Sequence, residues 1–471
     1  MRLALREPTE GGRSGMEAIA SFFKFGERGT TFGTEIRAGV TTFMVMAYII
    51  FVNPNIIAAP LGLDAVAVSA GTALVAGIMT IAMGLIGNYP FAIAAGLGLN
   101  AIVAFQLTGL GLDARGAMGV VVIEGIVILV LVLVGFREAV MNAVPLSLKR
   151  AIGVGIGLFI MFIGFFDGGL INSPTCFALP CPPPGVPPVE IKFPNSPPQF
   201  VFLIGLLITF GLYALKIRGA LIISIMATAA VALVAGVTAV PANLTLTPNF
   251  ATLGIGLQDP LQVFNLGIVV AILTIFAIML ADFFDTMGTV TGVAAQAGLA
   301  REDGSVPSVQ RVLAVDSFAA FAGGAAGVSS NTTYIESAAG VAEGGRTGFT
   351  AVVTGVLFLV AILLAPLTQL IPLFATAPAL VLVGYLMFTL VRDIPVADVE
   401  EGLPALLTML LMPLTFNITV GIGAGFIAWV FIKAARGKWR DVHLLMWLAA
   451  AAFVVYFLTT WITSVLAPPA A

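Results

Sequence analysis

The stretch 323–345, GGAAGVSSNTTYIESAAGVAEGG, decides how this sequence folds. It lies among strongly apolar stretches, yet it carries hydroxyls, amides and the acid Glu336 where a lipid-facing helix would carry apolar side chains. A second interrupted stretch, 91–106 (FAIAAGLGLNAIVAFQ), has two glycines before the polar Asn100. Irregular backbone at membrane depth is tolerated only where protein buries it or where it lines a cavity. The two stretches therefore predict a pair of broken helices inside a membrane bundle.

The composition places the rest of the chain in a membrane. Of its 471 residues, 59% are hydrophobic and 10% are charged, whereas soluble domains are about 45–50% apolar and about 25% charged. Apolar runs of roughly 20 residues, the length that crosses a bilayer, recur from Ala38 almost to the end. A period of two, typical of a lipid-facing β-barrel, is missing. We therefore expect an all-α, multi-pass protein of a cell membrane, and the family resemblance described below implies that of a prokaryote.

The apolar runs divide into two sets of seven spans. Their predicted limits are 38–57, 66–88, 91–106, 116–136, 148–170, 199–216, 219–239, 268–293, 308–325, 329–345, 347–368, 376–392, 403–416 and 418–435. The interrupted stretches fall at the third position of each set, so the third and tenth spans are predicted to be broken. Because seven is odd, the second half would enter the membrane inverted relative to the first, as in many secondary transporters. A further stretch, 443–466, is either a terminal span or a helix against the bundle.

The positive charges predict the orientation of the chain. Lys and Arg of short loops favour the cytoplasmic side, so we expect residues 1–37 to be a cytoplasmic segment. These residues are polar and show no apolar core or cleavage site typical of a signal peptide. The net charge of −3 and the lack of a long basic run predict no nucleic-acid partner. The predicted cytoplasmic loops then contain these positive residues: Arg137, Lys149 and Arg150; Lys216 and Arg218; Arg301 and Arg311; Lys433, Arg436, Lys438 and Arg440.

A long, proline-rich loop from Asn172 to Gln199 is predicted on the outer side. It contains Cys176 and Cys181, for which a disulfide and two free thiols are both compatible with the sequence.

Acidic residues inside the spans are the strongest functional signal. An ionised carboxylate at the bilayer centre costs at least about 2.5–3.5 kcal/mol on insertion scales, so such residues are functional candidates. Asp282 and Asp285 lie three residues apart in LADFFDTMGTVTG, with Thr286 and Thr289 each four residues further along. These positions share one helix face. We expect this polar face to point into the bundle, where the carboxylates accept hydrogen bonds from a ligand or take up a proton.

The two broken spans supply the complementary candidates. Glu336 follows SSNTTYI, where the hydroxyls predict the start of a half-helix with the acid near its first turn. Asn100 both donates and accepts hydrogen bonds, which suits the edge of a heterocycle. Asp316 is predicted to support the site rather than to touch a substrate. Glu124 lies in a uniform apolar run and is interpreted as a structural partner across helices.

Enzyme and metal sites find little support. The single His443 lies near the C-terminus and the two cysteines lie in an outer loop, so neither a Ser-His-Asp triad nor a zinc site is available. The GxG of GLGLN follows no strand of a βαβ unit, so it is not a nucleotide fingerprint. We expect no cofactor, no metal and no catalytic residue.

Four segments carry a resemblance to a known family. They are FKFGERGTTFGTEIRAGVTTFMVMAYIIFVNP, AAGLGLNAIVAF, LADFFDTMGTVTGVAAQAGL and TTYIESAAGVAEGGRTGFTAVVTG. In this order and spacing they resemble the guanine/hypoxanthine (AzgA-like) permeases of the nucleobase transporter superfamily, over residues 16–437. The resemblance implies fourteen spans in two inverted halves. It also implies a core domain of residues 38–136 and 266–370 that moves against a gate domain of residues 137–265 and 371–440, followed by an apolar segment, 441–471.

The same resemblance implies roles for the candidate residues. It places Asp282, Glu336 and Asn100 at the substrate, and Gly98 and Ile335 beside them. It implies that Asp285, Thr286 and Asp316 support the site or couple it to protons.

The expected function is proton symport of hypoxanthine or guanine by alternating access, in a homodimer joined through the gate. A permease for adenine, xanthine or uracil is the alternative within the superfamily. Three alternatives are more distant: an anion transporter of the same fold, a channel and a membrane enzyme. The anion transporter is disfavoured because an anion site would not normally contain three carboxylates.

Overall fold

The structure is a computed structural model that describes residues 15–135, 143–172, 190–191, 194–301 and 305–466. Cys176, Cys181 and Arg137 lie outside the described residues, so the disulfide prediction is not tested. Nine of the described helices are long and apolar enough to cross a membrane, judged by length and composition.

The helices follow the predicted order. We number spans 1 to 14 as Phe32–Leu61, Ala65–Gly87, Leu97–Leu107, Ala114–Leu133, Leu146–Asp167, Pro197–Ala214, Ala220–Val234, Ile268–Gln296, Val309–Ala326, Ser337–Ala342, Gly348–Leu370, Leu373–Asp393, Val399–Thr415 and Ile418–Ala435. Short helices Gly15–Phe22 and Phe25–Arg28 precede span 1, and 3-10 turns occur at Ile255–Leu257, Gln262–Leu266 and Trp439–Asp441. A terminal helix, Leu444–Leu466, ends the described chain.

Several span limits differ from prediction by more than a helical turn, among them the start of span 1 and the end of span 7. Span 1 begins at Phe32 rather than at residue 38, because the Thr31 side chain accepts a hydrogen bond from the Thr34 backbone N–H and caps the helix. The first turns of span 1 are polar, so a search for apolar runs did not include them. Span 7 ends at Val234 rather than at residue 239, because Gly236, at φ 69°, ends the helix just after its last turn.

Strands interrupt the broken spans, which an all-α prediction did not include. Strand β1 (Ile93–Ala95) precedes span 3 and strand β4 (Asn331–Thr333) precedes span 10, and the two pair antiparallel. The hydroxyls of NTT therefore lie in a strand and do not start a half-helix as predicted. A second small pair, β2 (Ile171–Asn172) with β3 (Glu190–Ile191), closes the base of the long loop.

Packing divides the spans into two groups. Spans 1, 2 and 11 pack together, as do spans 4, 8 and 9, and the β1–β4 pair lies against spans 2, 8 and 9. Spans 5, 12, 13 and 14 form the second group, with spans 6 and 7 packed on span 12. The resemblance assigned spans 1–4 and 8–11 to a core and spans 5–7 and 12–14 to a gate, and that division stays a prediction. We call the two groups the predicted core and the predicted gate.

The segment 252–266, which the predicted division assigns to the gate, contacts spans 4 and 9 of the predicted core. The Gly254 backbone N–H donates to the Ala325 carbonyl of span 9 at 2.8 Å, and the Gln262 Oε1 accepts from the Asp113 backbone N–H at 3.1 Å. These contacts join residues far apart in the chain, so no local pattern announces them.

Glu35 of span 1 holds the start of span 11 through hydrogen bonds. Its fully buried carboxylate accepts hydrogen bonds from the Arg346 backbone N–H at 2.9 Å, from the Thr347 hydroxyl at 2.7 Å and from the Thr350 hydroxyl at 2.6 Å. An acid at a helix N-terminus satisfies free N–H groups and opposes the positive end of the helix dipole. No pattern in the sequence had singled out Glu35.

The terminal helix lies across both groups. Its Phe453 ring packs against Phe426 of span 14 and Phe276 of span 8, with ring centroids 5.8 and 6.0 Å away. The stretch 443–466 is thus a helix that packs on the bundle, between the predicted gate and the predicted core.

Candidate functional site

The candidate site forms where spans 3 and 10 are interrupted. Strands β1 and β4 pair Ile93 with Thr333 and Ala95 with Asn331, deep in the protein. The Thr80 hydroxyl of span 2 fixes the Ile93 backbone, accepting from its N–H at 2.9 Å. The Tyr334 hydroxyl donates to the Ala95 carbonyl. The polar backbone of both breaks is therefore satisfied within the bundle, as membrane burial demands.

Asp316 of span 9 holds strand β4 to two helices. Its Oδ1 accepts from the backbone N–H and the hydroxyl of Thr333 at 2.8 and 2.7 Å, and its Oδ2 accepts from the Thr286 hydroxyl at 2.7 Å. Since Thr286 donates to Asp316, the Thr332 hydroxyl donates to Thr286 across a further 2.7 Å contact. Asp316 and Thr286 thus connect spans 8 and 9 to the strand pair.

Asp282 lies one helical turn before Thr286 on span 8. Its side chain is 1% exposed, and its Oδ2 accepts from the Ser330 hydroxyl at 3.2 Å. Ser330 directly precedes β4, and its carbonyl accepts from the Gly96 backbone N–H at 2.9 Å, next to the start of span 3. Asp282 therefore meets the junction of both broken spans.

Asp285 and Glu336 bring further acidity to the same junction. The carboxyl of Asp285 interacts electrostatically with Asp282, Asp316 and Glu336, all of them acids. Glu336 occupies the position before the short helix of span 10, and its Oε1 accepts from the Tyr48 hydroxyl at 2.7 Å. The structure thus brings the predicted acids of spans 8, 9 and 10 together.

The remaining predicted residues lie on span 3 and beside Glu336. Asn100 is fully buried, and neither its Oδ1 nor its Nδ2 has a hydrogen-bond partner among the described residues. A buried amide without partners is costly unless something else binds it. Gly98 lies against Ile156 of span 5, whose Cγ2 would be 2.6 Å from an added Cβ, so it allows the broken helix to approach the predicted gate. Ile335 is 49% exposed.

Several residues of the site were missed from the sequence. Ser330, Thr332 and Thr333 belong to the stretch 323–345 that drew attention as a whole, so their hydroxyls carried a usable signal. Tyr48 carried none, because a single tyrosine in an apolar span is unremarkable until the tertiary fold brings it to Glu336. Glu124 of span 4 was noticed but was interpreted as a structural partner.

Comparison with known proteins identifies the family of the chain. The profile of the xanthine/uracil permeases, described as a permease family, matches residues 33–424. The chain belongs to this permease family. The guanine/hypoxanthine permease PbuG of Bacillus subtilis is 39% identical over 93% of this chain and 99% of its own length. The adenine permease AdeQ of Escherichia coli is 37% identical over 93% of this chain and 95% of its own length.

Solved structures of other transporters share the fold of this permease. The transmembrane domain of the cyanobacterial bicarbonate transporter BicA superimposes with a TM-score of 0.58 at 16% identity, over 83% of this chain and 97% of that domain. Murine Slc26a9, an anion transporter, gives a TM-score of 0.59 at 12% identity, over 92% of this chain and 74% of its own. The predicted fold class is confirmed: the chain is a helical, multi-pass cell-membrane transporter with interrupted third and tenth spans.

Proposed function

We propose that this permease is a proton-coupled symporter that imports hypoxanthine or guanine. The observation that carries the proposal is the meeting of Asp282, Asp285 and Glu336 at the crossing of the broken spans, inside a nucleobase permease fold. A purine presents ring N–H donors and ring-nitrogen acceptors around a flat apolar body. Carboxylates accept from the N–H groups, and the unpartnered Asn100 amide pairs with an edge that both donates and accepts.

Proton coupling follows from the same acids. Carboxylates that interact with one another in a buried site cannot all be ionised at once, because like charges in a low dielectric repel. A proton taken up with the purine would lower this repulsion and be released with it on the other side. The predicted core would carry the site, and the predicted gate, which packs as a separate group, would form the surface against which it moves.

A second candidate substrate is adenine, because adenine permease AdeQ is nearly as similar to this chain as PbuG. Xanthine and uracil are further candidates from the family. An anion is disfavoured by the acids that surround Asp285, although the solved structures of the same fold include anion and bicarbonate transporters. The predicted homodimer through the gate remains part of the proposal.

The test measures uptake of labelled hypoxanthine into proteoliposomes that contain the purified protein. Inward proton and sodium gradients are imposed separately, with and without a protonophore, and unlabelled guanine, hypoxanthine, adenine, xanthine and uracil compete. We expect uptake that requires the proton gradient and is inhibited most by guanine and hypoxanthine. Inhibition by adenine alone would favour the second candidate. Uptake driven by sodium alone, or undiminished in both Asp282→Asn and Glu336→Gln, would overturn the proposal.

A further inference from the structure

Glu124 is a buried acid to which the proposed mechanism gives no role. It lies in the middle of span 4, with a side chain that is 0% exposed. Span 4 packs against spans 8 and 9, and the carboxyl of Glu124 interacts electrostatically there with Asp282 and with Asp316. A residue interpreted from the sequence as a structural partner across helices therefore lies beside the candidate site.

The acids differ in the donors that surround them. Asp316 accepts three hydrogen bonds from N–H and O–H groups, and Asp282 accepts from the Ser330 hydroxyl. Neither carboxyl oxygen of Glu124 accepts a hydrogen bond from any donor group among the described residues. A buried carboxylate without donors costs several kcal/mol, whereas a carboxylic acid needs one acceptor for its O–H. A neutral Glu124 carboxyl therefore needs only one acceptor, and Asp282 of the neighbouring span 8 is the candidate for it.

Other charged groups do not neutralise Glu124. Spans 8 and 9 present Asp282 and Asp316 to it. The segment 252–266 also packs on span 4, and its Asp259 interacts with Arg115 at the start of span 4. Span 3, which touches span 4 as well, contains no charged residue. The charged groups that act on Glu124 are thus acids, and a proton on its carboxyl would reduce their mutual repulsion.

We propose that Glu124 holds the coupling proton and, by donating it in a hydrogen bond to Asp282, positions Asp282 as the single ionised acceptor for a purine N–H. The proposal rests on the proposed proton symport and assigns its proton to a residue. On loading, one proton binds the Glu124 carboxylate and forms the O–H bond. On release, that O–H bond breaks, the proton leaves with the purine, and both acids repel until the next proton arrives. Because binding of purine and proton support each other, the coupling is reciprocal.

The test compares Glu124→Gln with wild type in proteoliposomes. Glutamine keeps the size and donates an N–H to Asp282 permanently, so it mimics the protonated state. We expect counterflow of labelled hypoxanthine without a gradient to persist and to lose its pH dependence. We expect accumulation driven by an inward proton gradient to fall about tenfold or more, the scale of coupling between two sites. Glu124→Asp, which retains a titratable group, should recover part of that accumulation.

Asp113→Asn serves as the matched control on the same span. Asp113 caps span 4 outside the site, where the Gly116 N–H and Arg115 hold its pKa below the ordinary value. Asparagine also caps helices, so the pH profile should match wild type. Gradient-driven accumulation that survives Glu124→Gln with an unchanged pH profile overturns the proposal. So does joint loss of counterflow and accumulation in folded protein, since Glu124 would then serve binding or structure.

Two further outcomes separate this proposal from the proposed function. If Glu124→Gln yields no folded protein, Glu124→Asp decides: a shifted pH profile of accumulation supports the proposal, and an unchanged profile overturns it. If wild type itself shows no gradient-driven purine accumulation, the proposed symport fails. Purine binding measured from pH 5 to 8 in wild type and Glu124→Gln then still tests whether Glu124 titrates with the ligand, and equal pH dependence overturns that role.

Discussion

Replacing Asp316 should lower the stability of this permease, and the loss should grow with the number of hydrogen-bond donors left without an acceptor. In Asp316→Leu, the Thr286 and Thr333 hydroxyls can rotate toward other acceptors, but the Thr333 backbone N–H cannot. A buried donor that loses its acceptor costs about 1–3 kcal/mol, and each bond to a charged group contributes about 1.5–3 kcal/mol. We expect a loss of about 3–5 kcal/mol in the stability of the native packing.

Asp316→Asn provides the graded comparison. Its side-chain oxygen still accepts from the N–H and hydroxyl of Thr333, and its NH₂ group donates to the Thr286 hydroxyl, which turns to donate to Thr332. Only the charge assistance disappears, at a cost of about 1–2 kcal/mol. Geometry therefore predicts wild type, then Asn, then Leu in order of decreasing stability.

The assay is thermal unfolding in detergent, followed by the loss of the monodisperse peak on size exclusion, together with counterflow of labelled hypoxanthine. Asp316→Asn should keep measurable counterflow. Asp316→Leu should lose it, because strand β4 would no longer be tied to span 9 and would displace Ser330 from Asp282. Equal unfolding midpoints for the Leu and Asn variants would refute the reasoning, since the backbone N–H of Thr333 would then not depend on Asp316.

Three other changes test the surrounding structure. Glu35→Ala should lower the unfolding midpoint by a shift equivalent to about 2–4 kcal/mol, because buried donors at the start of span 11 lose their acceptor; an unchanged midpoint would contradict this. Gly84→Ala should prevent stable folding, since an added methyl overlaps a carbonyl oxygen of span 11, while Gly109→Ala, with nothing within 4 Å, should be tolerated in the same size-exclusion assay. Tyr48→Phe removes the hydroxyl that donates to Glu336 and should raise the KM of uptake severalfold with little change in midpoint; an unchanged KM would exclude this contact from binding.

Local sequence was enough to predict the helices and to select the two interrupted stretches. Hydropathy over some twenty residues reports what lipid tolerates, so the spans could be counted, and polar, glycine-interrupted stretches had to be buried. The spacing of Asp282 and Thr286 reported one helix face, which the structure confirms with both side chains buried. The strands escaped prediction because three residues carry too little pattern to separate an extended break from a half-helix.

Only the tertiary structure decided which polar groups meet. Tyr48 and Glu336 are 288 residues apart, and their contact depends on how span 1 is rotated against span 10. Glu124 has uniformly apolar neighbours in the sequence, so its meeting with Asp282 depends on the packing of spans 4 and 8. Local patterns report the surroundings of one segment. The rotation and depth of one helix against another follow from packing summed over the whole bundle, and that sum assigns a partner to each buried acid.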